Sequence, residues 1–460
     1  MVLNLFKLSI ARYFPLIGDE AFYWLWSQHL DLSYISHPPM IAYVNFIFTG
    51  WFGNNEFAIR LGAILIVLLI SLIIYQTGKE LYGPAAAATA VIIFNLLPTF
   101  WGGGMFLVPQ TIVFLFWALS FYFLVLIIKY QQPLYWYLLG VSAGLGLLSD
   151  YVMALFFIGT GIFFLAFREQ RSWLTKKEPY LAALLALLVF SPVIIWNLKH
   201  GFLPFLYWGG KMGGMPRIMD NLLNFFGLQM VLYTPPIFLI TAYMVSRQLW
   251  QSLKLGSSTN FLLSVMSAVV FLPFAIISPI INVGGHWPAT AYLPAILSSN
   301  QLKKTFLSLT FFFAILVNIL GFTYYIFLYP TPAELKGKEF TINQQLPQFI
   351  KESTPKRGRT FYLANDIGTF GLVSFHGRVK AYAPPGLSKE MDVWGTPDIK
   401  KGDNVIYFAR ENTAELHERL KPLFRKVRIE PKKRIFTKDA DIPTKTKIFI
   451  CEGFKGGMIP

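Results

Sequence analysis
The chain has a single cysteine, Cys451, in 460 residues, and only 14% of its residues are charged. One cysteine excludes a disulfide within the chain and any cysteine-based zinc site. Charge is too sparse for an ordinary soluble domain, because the apolar residues, 55% of the total, fall in many blocks of helix-spanning length. No cleavable signal is visible: the segment 2–17 is short, carries Lys7 and Arg12, lacks a small-residue cleavage pattern before Asp19, and reads as a retained first span. There is no tandem repeat and no low-complexity tract. The glycine cluster Gly102-Gly103-Gly104 lacks the strand-turn-helix setting of a phosphate-binding loop and reads as a tight turn. The formal net charge of +16 has no aromatic-basic nucleic-acid motif beside it. Residues 1–330 hold 16 basic against 9 acidic residues and residues 331–460 hold 24 against 15, so the excess is shared between the two parts. Solvated faces and contact with anionic membrane lipids account for such a spread; nucleic acid is not an expected partner.

What remains is an α-helical polytopic membrane protein with a small C-terminal α/β domain. About eleven spans are expected, at 2–17, 57–76, 84–100, 105–128, 133–148, 151–167, 180–198, 222–245, 261–281, 287–299 and 306–328, with 38–52 as a helix lying at the interface behind Pro38-Pro39. With a cytoplasmic amino terminus, one set of loops carries Lys79, Lys129, Arg168, Arg171, Lys176, Lys177, Arg247, Lys254, Lys303 and Lys304; the other carries only Arg60, Lys199, Lys211 and Arg217. The positive-inside rule then places the second set, all six histidines, and Asp19, Glu20, Asp31, Glu56, Asp150 and Asp220 on the non-cytoplasmic side. The membrane domain is expected over 1–330. The tail, 331–460, shows strand patterns at 360–363, 379–383, 404–409, 426–429 and 447–451, and helix patterns at 370–376 and 413–424, the second with Leu416, Leu420 and Leu423 on one face. An odd number of spans puts this domain on the side of Asp19.

The stretch from Asp19 to His37 stands out. Two adjacent carboxylates close the first apolar segment, aromatics follow at once, and His37-Pro38-Pro39 ends the run. Acids against the membrane are costly unless paired, hydrated or used, so function is the default reading, with a plain helix stop at the headgroups as the alternative. His37 is held by two prolines that fix the chain direction, and His286 stands between Gly284-Gly285 and Trp287-Pro288. Glu20, His37 and His286 form a candidate carboxylate-histidine site for a divalent metal, against interface histidines anchored by water as the alternative. Lys211 and Arg217 lie in a Gly- and Met-rich loop, 209–219, able to close over substrate or to meet lipid headgroups.

The string Gly18-Asp19-Glu20-Ala21-Phe22-Tyr23-Trp24, then His37-Pro38-Pro39 and Phe57-Ala58-Ile59-Arg60-Leu61, resembles the first outer loop of bacterial GT-C glycosyltransferases of the protein O-mannosyltransferase-like family, relatives of the aminoarabinose transferase of lipid A. The resemblance continues at Leu147-Leu148-Ser149-Asp150-Tyr151, Phe190-Ser191-Pro192, Trp196-Asn197, His200-Gly201, His286-Trp287-Pro288-Ala289, Asn365-Asp366 and Asp392-Val393-Trp394-Gly395. It implies an inverting hexosyl- or pentosyltransferase of the inner membrane that moves a sugar from a polyprenyl-phosphate donor to a lipid, glycan or protein acceptor on the non-cytoplasmic face. Asp19 matches the family's base, and Glu20 is expected to orient the acceptor, bind a metal or pair with a cation. Many relatives carry a lysine at the position of Asp150 and an acid at that of Gln110. The substrate-binding set is therefore expected among His37, Arg60, Asp150, Lys199, His200 and His286, with Lys199 and His200 best placed for the departing phosphate. A transporter or flippase with Asp19 and Asp150 in its path is the competing class; such proteins place ionisable groups near the bilayer midplane and often show repeated halves. A non-catalytic assembly or sensor protein is a third, and leaves the Asp-Glu and His-Pro-Pro constellation unexplained.

Overall fold
In the computed structural model the described residues are all but 1, 12–15, 212–216, 324–338, 385–393, 410–412 and 438–443. The chain divides into two compact units. One comprises Met1–Lys7, Leu32–Ile41 and Gly62–Phe327; the other joins Leu8–Asp31 and Ala42–Leu61 to Leu328–Pro460. The tail therefore shares a unit with the two segments that flank His37, which the sequence pattern groups with the membrane helices.

The first unit is helical. Among the described residues five helices are long and apolar enough to cross a membrane: Glu56–Tyr82, Pro109–Tyr130, Glu178–Lys199, Ser258–Ile277 and Lys304–Gly321. Three bent pairs raise the number to eight if each is one span. The breaks have local causes. Pro98 interrupts the segment after Pro84–Leu96 with a 73° bend, and Thr234, at φ 64°, turns Ile218–Tyr233 into the following helix at 113°. The expected span at 287–299 is instead a succession of short turns, Ala289–Tyr292, Leu293–Leu297 and Ser298–Gln301, with 288–299 buried. Pro288 and Pro294 deny it a continuous helix. Within 38–52 the expected helix is present as Met40–Phe52.

Close packing uses small residues. Gly144 on Leu134–Leu147 lies against Glu178–Lys199 so tightly that a Cβ would come within 2.9 Å of the Ala186 carbonyl. Gly140 and Ala182 repeat the arrangement one turn away, the small-x3-small pattern by which membrane helices approach. Lys7, buried on Val2–Ile10, donates to the Phe100 carbonyl at 2.6 Å and lies 5.5 Å over the Trp101 ring.

In the second unit five strands form one sheet: β1 Thr360–Ala364, β2 Ala381–Tyr382, β3 Asn404–Ala409, β4 Phe424–Thr437 and β5 Thr444–Phe454, in the order β2-β1-β3-β5-β4. β1 runs parallel to β2 and β3, and β5 antiparallel to β3 and β4. Leu416 and Leu420 of Thr413–Leu420 pack on Val405, Tyr407, Phe449 and Cys451, the apolar face read from the sequence. The helix Ile367–Gly377, capped by the Asp366 carboxylate on the Thr369 N–H at 2.9 Å, packs against Gly18–Gln28.

Candidate active site
The helix Gly18–Gln28 begins with Asp19 and Glu20 in its first turn, where carboxylates favour the exposed N–H groups. The two neighbours then diverge. Glu20 is 0% exposed; its Oε2 accepts from the Ile17 N–H at 3.1 Å and from Arg60 Nη2 at 3.0 Å, and its Oε1 lies 3.4 Å from Arg60 Nε. Arg60 is equally buried and its Nη1 donates to the Ala11 carbonyl at 2.6 Å. Among the three roles open to Glu20, this geometry is that of pairing with a cation. Arg60, expected to meet substrate, instead spends its donor fork on Glu20 and Ala11. Asp19, one residue earlier, is exposed. A fork-to-carboxylate pair without solvent is a rigid anchor, and it fixes the backbone that carries Asp19.

The tail completes this setting. Gly371 lies so close to the first-loop helix that a Cβ would come within 2.7 Å of the Ala21 carbonyl carbon and the Phe22 nitrogen. Trp24 meets Phe375 edge-on at 4.9 Å and donates to Asn54 at 2.9 Å, and His29 stacks on Trp394 at 5.0 Å. His376 is buried with its Nδ1 3.7 Å from Glu56 Oε1; burial, and the charge of Arg60, push the imidazole down to about 3 and leave it neutral. The sequence marks His376 as one of six histidines on the outer side, but nothing local distinguishes it. Its neighbours come from 300 residues upstream.

A second cluster sits in the first unit. His37 Nδ1 lies 3.7 Å from Asp150 Oδ2, which also accepts from Gln110 Nε2 at 3.2 Å, while Asp150 Oδ1 caps the Tyr151–Met153 turn through the Val152 N–H. Burial pushes the Asp150 carboxyl up to about 6, against the opposing pull of the Val152 N–H. Gln110 and Asp150, the two positions that the resemblance singles out as unusual, are thus hydrogen-bonded partners. His37 also faces Trp208 at 6.1 Å, whose indole donates to the Ser36 carbonyl and meets Trp287 edge-on at 5.6 Å. The adjoining His286 is exposed, with the Gly285 carbonyl accepting from Gln229. Lys199 is exposed at the end of its helix, and His200 stacks on Trp196 at 4.1 Å with Nδ1 2.8 Å from that residue's carbonyl. The Nδ1 proton of His200 is therefore taken by the backbone. Of the loop 209–219, residues 212–216 lie outside the described residues, as does the Lys211 side chain; Arg217 is exposed.

Among the described residues no three His, Cys, Asp or Glu side chains converge as a metal-binding set. The expected trio of Glu20, His37 and His286 does not fit a metal, since the Glu20 carboxylate is already engaged by Arg60 and the Ile17 N–H.

Residues 36–196 match the dolichyl-phosphate-mannose-protein mannosyltransferase family. A lipid A galacturonosyltransferase, RgtD of Rhizobium johnstonii, is 26% identical over 279 residues, 60% of this chain and 58% of its own length. The chain thus spans less than two thirds of that relative. An undecaprenyl phosphate-alpha-4-amino-4-deoxy-L-arabinose arabinosyl transferase of Erwinia tasmaniensis is 28% identical over 29% of this chain and 25% of its own. In structure, ArnT of Cupriavidus metallidurans in its apo state aligns over 98% of this chain and 95% of its own with a TM-score of 0.67 at 13% identity, and its form bound to undecaprenyl phosphate aligns over 98% and 96% with a TM-score of 0.65, also at 13% identity. The chain shares the fold of ArnT along nearly its whole length, matches the mannosyltransferase sequence pattern over 36–196, and is similar in sequence to an aminoarabinose transferase over 29% of its length.

Proposed function
We propose that the chain is an inverting glycosyltransferase that moves a sugar from a polyprenyl-phosphate donor to a glycolipid acceptor of the lipid A class, on the non-cytoplasmic face of the inner membrane. The observation that carries this reading is the division of labour between Asp19 and Glu20: one carboxylate is locked on Arg60, and the other is presented to solvent from the same helix turn. The donor and acceptor classes are those named for the relatives.

Asp19 takes the proton of the acceptor hydroxyl as that oxygen bonds to the anomeric carbon. The bond from that carbon to the phosphate oxygen breaks on the opposite face, and polyprenyl phosphate leaves with the electron pair. A carboxylate is a weak base towards an alcohol, so the proton moves late, once the sugar has developed oxocarbenium character. Cations and donors of the outer loops, Lys199 first among them, stabilise the departing phosphate. His37, His200 and His286 offer further contacts for donor or acceptor.

The test is transfer by purified protein in lipid from undecaprenyl-phosphate sugars to lipid A, with donor binding measured on the same sample. Asp19→Asn retains donor binding and lowers the transfer rate about a hundred- to ten-thousand-fold, the range for loss of a general base. Transfer near the parent rate overturns the assignment.

A further inference from the structure
Arg60 is within reach of two carboxylates by its position on the chain. Glu20 holds it across the fold, and Glu56 lies one turn earlier on the same helix, Glu56–Tyr82. A glutamate four residues before an arginine is the spacing and order at which helical ion pairs form most readily. Glu56 lies instead beside the tail, its Oε1 3.7 Å from His376 Nδ1. His376 itself is buried in the tail helix, so its imidazole is held in place beside Glu56.

We propose that His376 is a positioning residue of the tail: its Nδ1–H draws the Glu56 carboxylate away from Arg60, so that Arg60 stays on Glu20 and the helix start that presents Asp19 stays fixed. The helix Ile367–Gly377 is then part of the apparatus that aims the base. The consequence for sugar transfer rests on the reading of Asp19 given above; the choice of partner by Arg60 does not.

Four variants in lipid nanodiscs separate the possibilities: His376→Leu, His376→Asn, His376→Gln, and His376→Leu combined with Glu56→Gln. Asn places an amide N–H near the position of Nδ1, whereas Gln places it near Nε2. Amide hydrogen exchange of 18–28 and the kcat and donor KM for transfer are measured on each. His376→Leu and His376→Gln speed exchange in the first turn about tenfold and lower kcat with little change in KM, because the helix start loosens locally. His376→Asn returns both towards the parent, and so does Glu56→Gln in the leucine background, because an uncharged residue 56 no longer competes for Arg60. Parent-like exchange in His376→Leu, or no rescue by Glu56→Gln, overturns the proposal. If the leucine variants do not fold, the Asn and Gln variants still decide: equal exchange in the two overturns it, and faster exchange in Gln alone supports it. A parent protein that transfers no sugar, yet shows this exchange pattern, overturns the functional reading and leaves the role of His376 supported.

Discussion

At the scale of single residues, adjacency in sequence says little about role. Asp19 and Glu20 share a helix turn, but the side chain at position 20 points into the packed interior and meets Arg60 where water is absent. Removing one partner of such a pair strands the other charge, typically at about 3–5 kcal/mol. Glu20→Gln therefore lowers the melting temperature and the yield of folded protein, whereas Asp19→Asn leaves both near the parent; thermal unfolding in lipid by tryptophan fluorescence distinguishes them. Asp150 gives the opposite sign. Its carboxyl is raised from 3.8 to about 6, so the folded protein holds the proton more tightly than the unfolded chain does. The stability this contributes is fully present below about 4 and is lost as pH rises through about 6, and at neutral pH the ionised, buried group is a burden on the order of a few kcal/mol. Asp150→Asn raises the melting temperature at pH 7.5 and changes it little at pH 4; an equal shift at both values would show that ionisation is not the cause. The carboxylates themselves were legible in the sequence as candidates. Which of them faces water was not, because that depends on Arg60, forty residues away, and on a tail helix with no local mark of its destination.

Secondary structure elements show where sequence patterns reach and where they stop. The sheet is legible because alternating apolar residues between turns mark β1, β3 and the centres of β4 and β5, although both members of the hairpin run longer than the apolar stretches imply. The short turns at 289–301, buried over 289–299, read as a span because apolar composition does not distinguish a core segment from a lipid-facing helix. Contact between elements is the least legible, and Gly371 is the instance with the most consequence. Its sequence neighbours, Phe370 and Leu372, suit an ordinary apolar helix, yet the absence of a side chain at 371 is what lets this helix touch the backbone of Ala21 and Phe22. Gly371→Leu has only backbone to push against, so the two helices separate or the tail helix turns. The expected outcome is loss of the Trp24–Phe375 contact, seen as a changed tryptophan emission, with transfer reduced at least about tenfold. Gly371→Ala is milder. Parent-like activity in the leucine variant would mean that the packing of Ile367–Gly377 does not matter to the reaction.

For the molecule as a whole, the question is on which side of the bilayer this chemistry lies. Counting spans is a fragile route, because five clear helices and three bent pairs leave the parity dependent on how each break is counted. Packing offers a sturdier one. The helices Gly18–Gln28 and Ile367–Gly377 are in contact within one compact unit, so the first loop and the tail share a side whatever the number of crossings between them. The ten-to-four asymmetry of basic residues, counted with the eleven spans expected from the sequence, is the ground on which that side is proposed to be the non-cytoplasmic one, since lysine and arginine resist translocation and accumulate inside. The sole cysteine, Cys451, is buried in β5, which makes the parent chain a low background for thiol labelling. Cysteines placed singly at two exposed positions, Gln28 and Lys176, probe the two faces. In intact cells with a permeable outer barrier, a membrane-impermeant maleimide labels Gln28→Cys and spares Lys176→Cys until the membrane is opened. A reporter fused after Pro460 is active outside the cytoplasm if Gln28→Cys is labelled there, since the contact between tail and first loop puts both on one side. The reverse labelling pattern would put Asp19 among soluble nucleotide sugars and remove the reason for a lipid-borne donor. Labelling at position 28 with the Pro460 reporter confined to the cytoplasm would contradict the packing of the tail against the first loop.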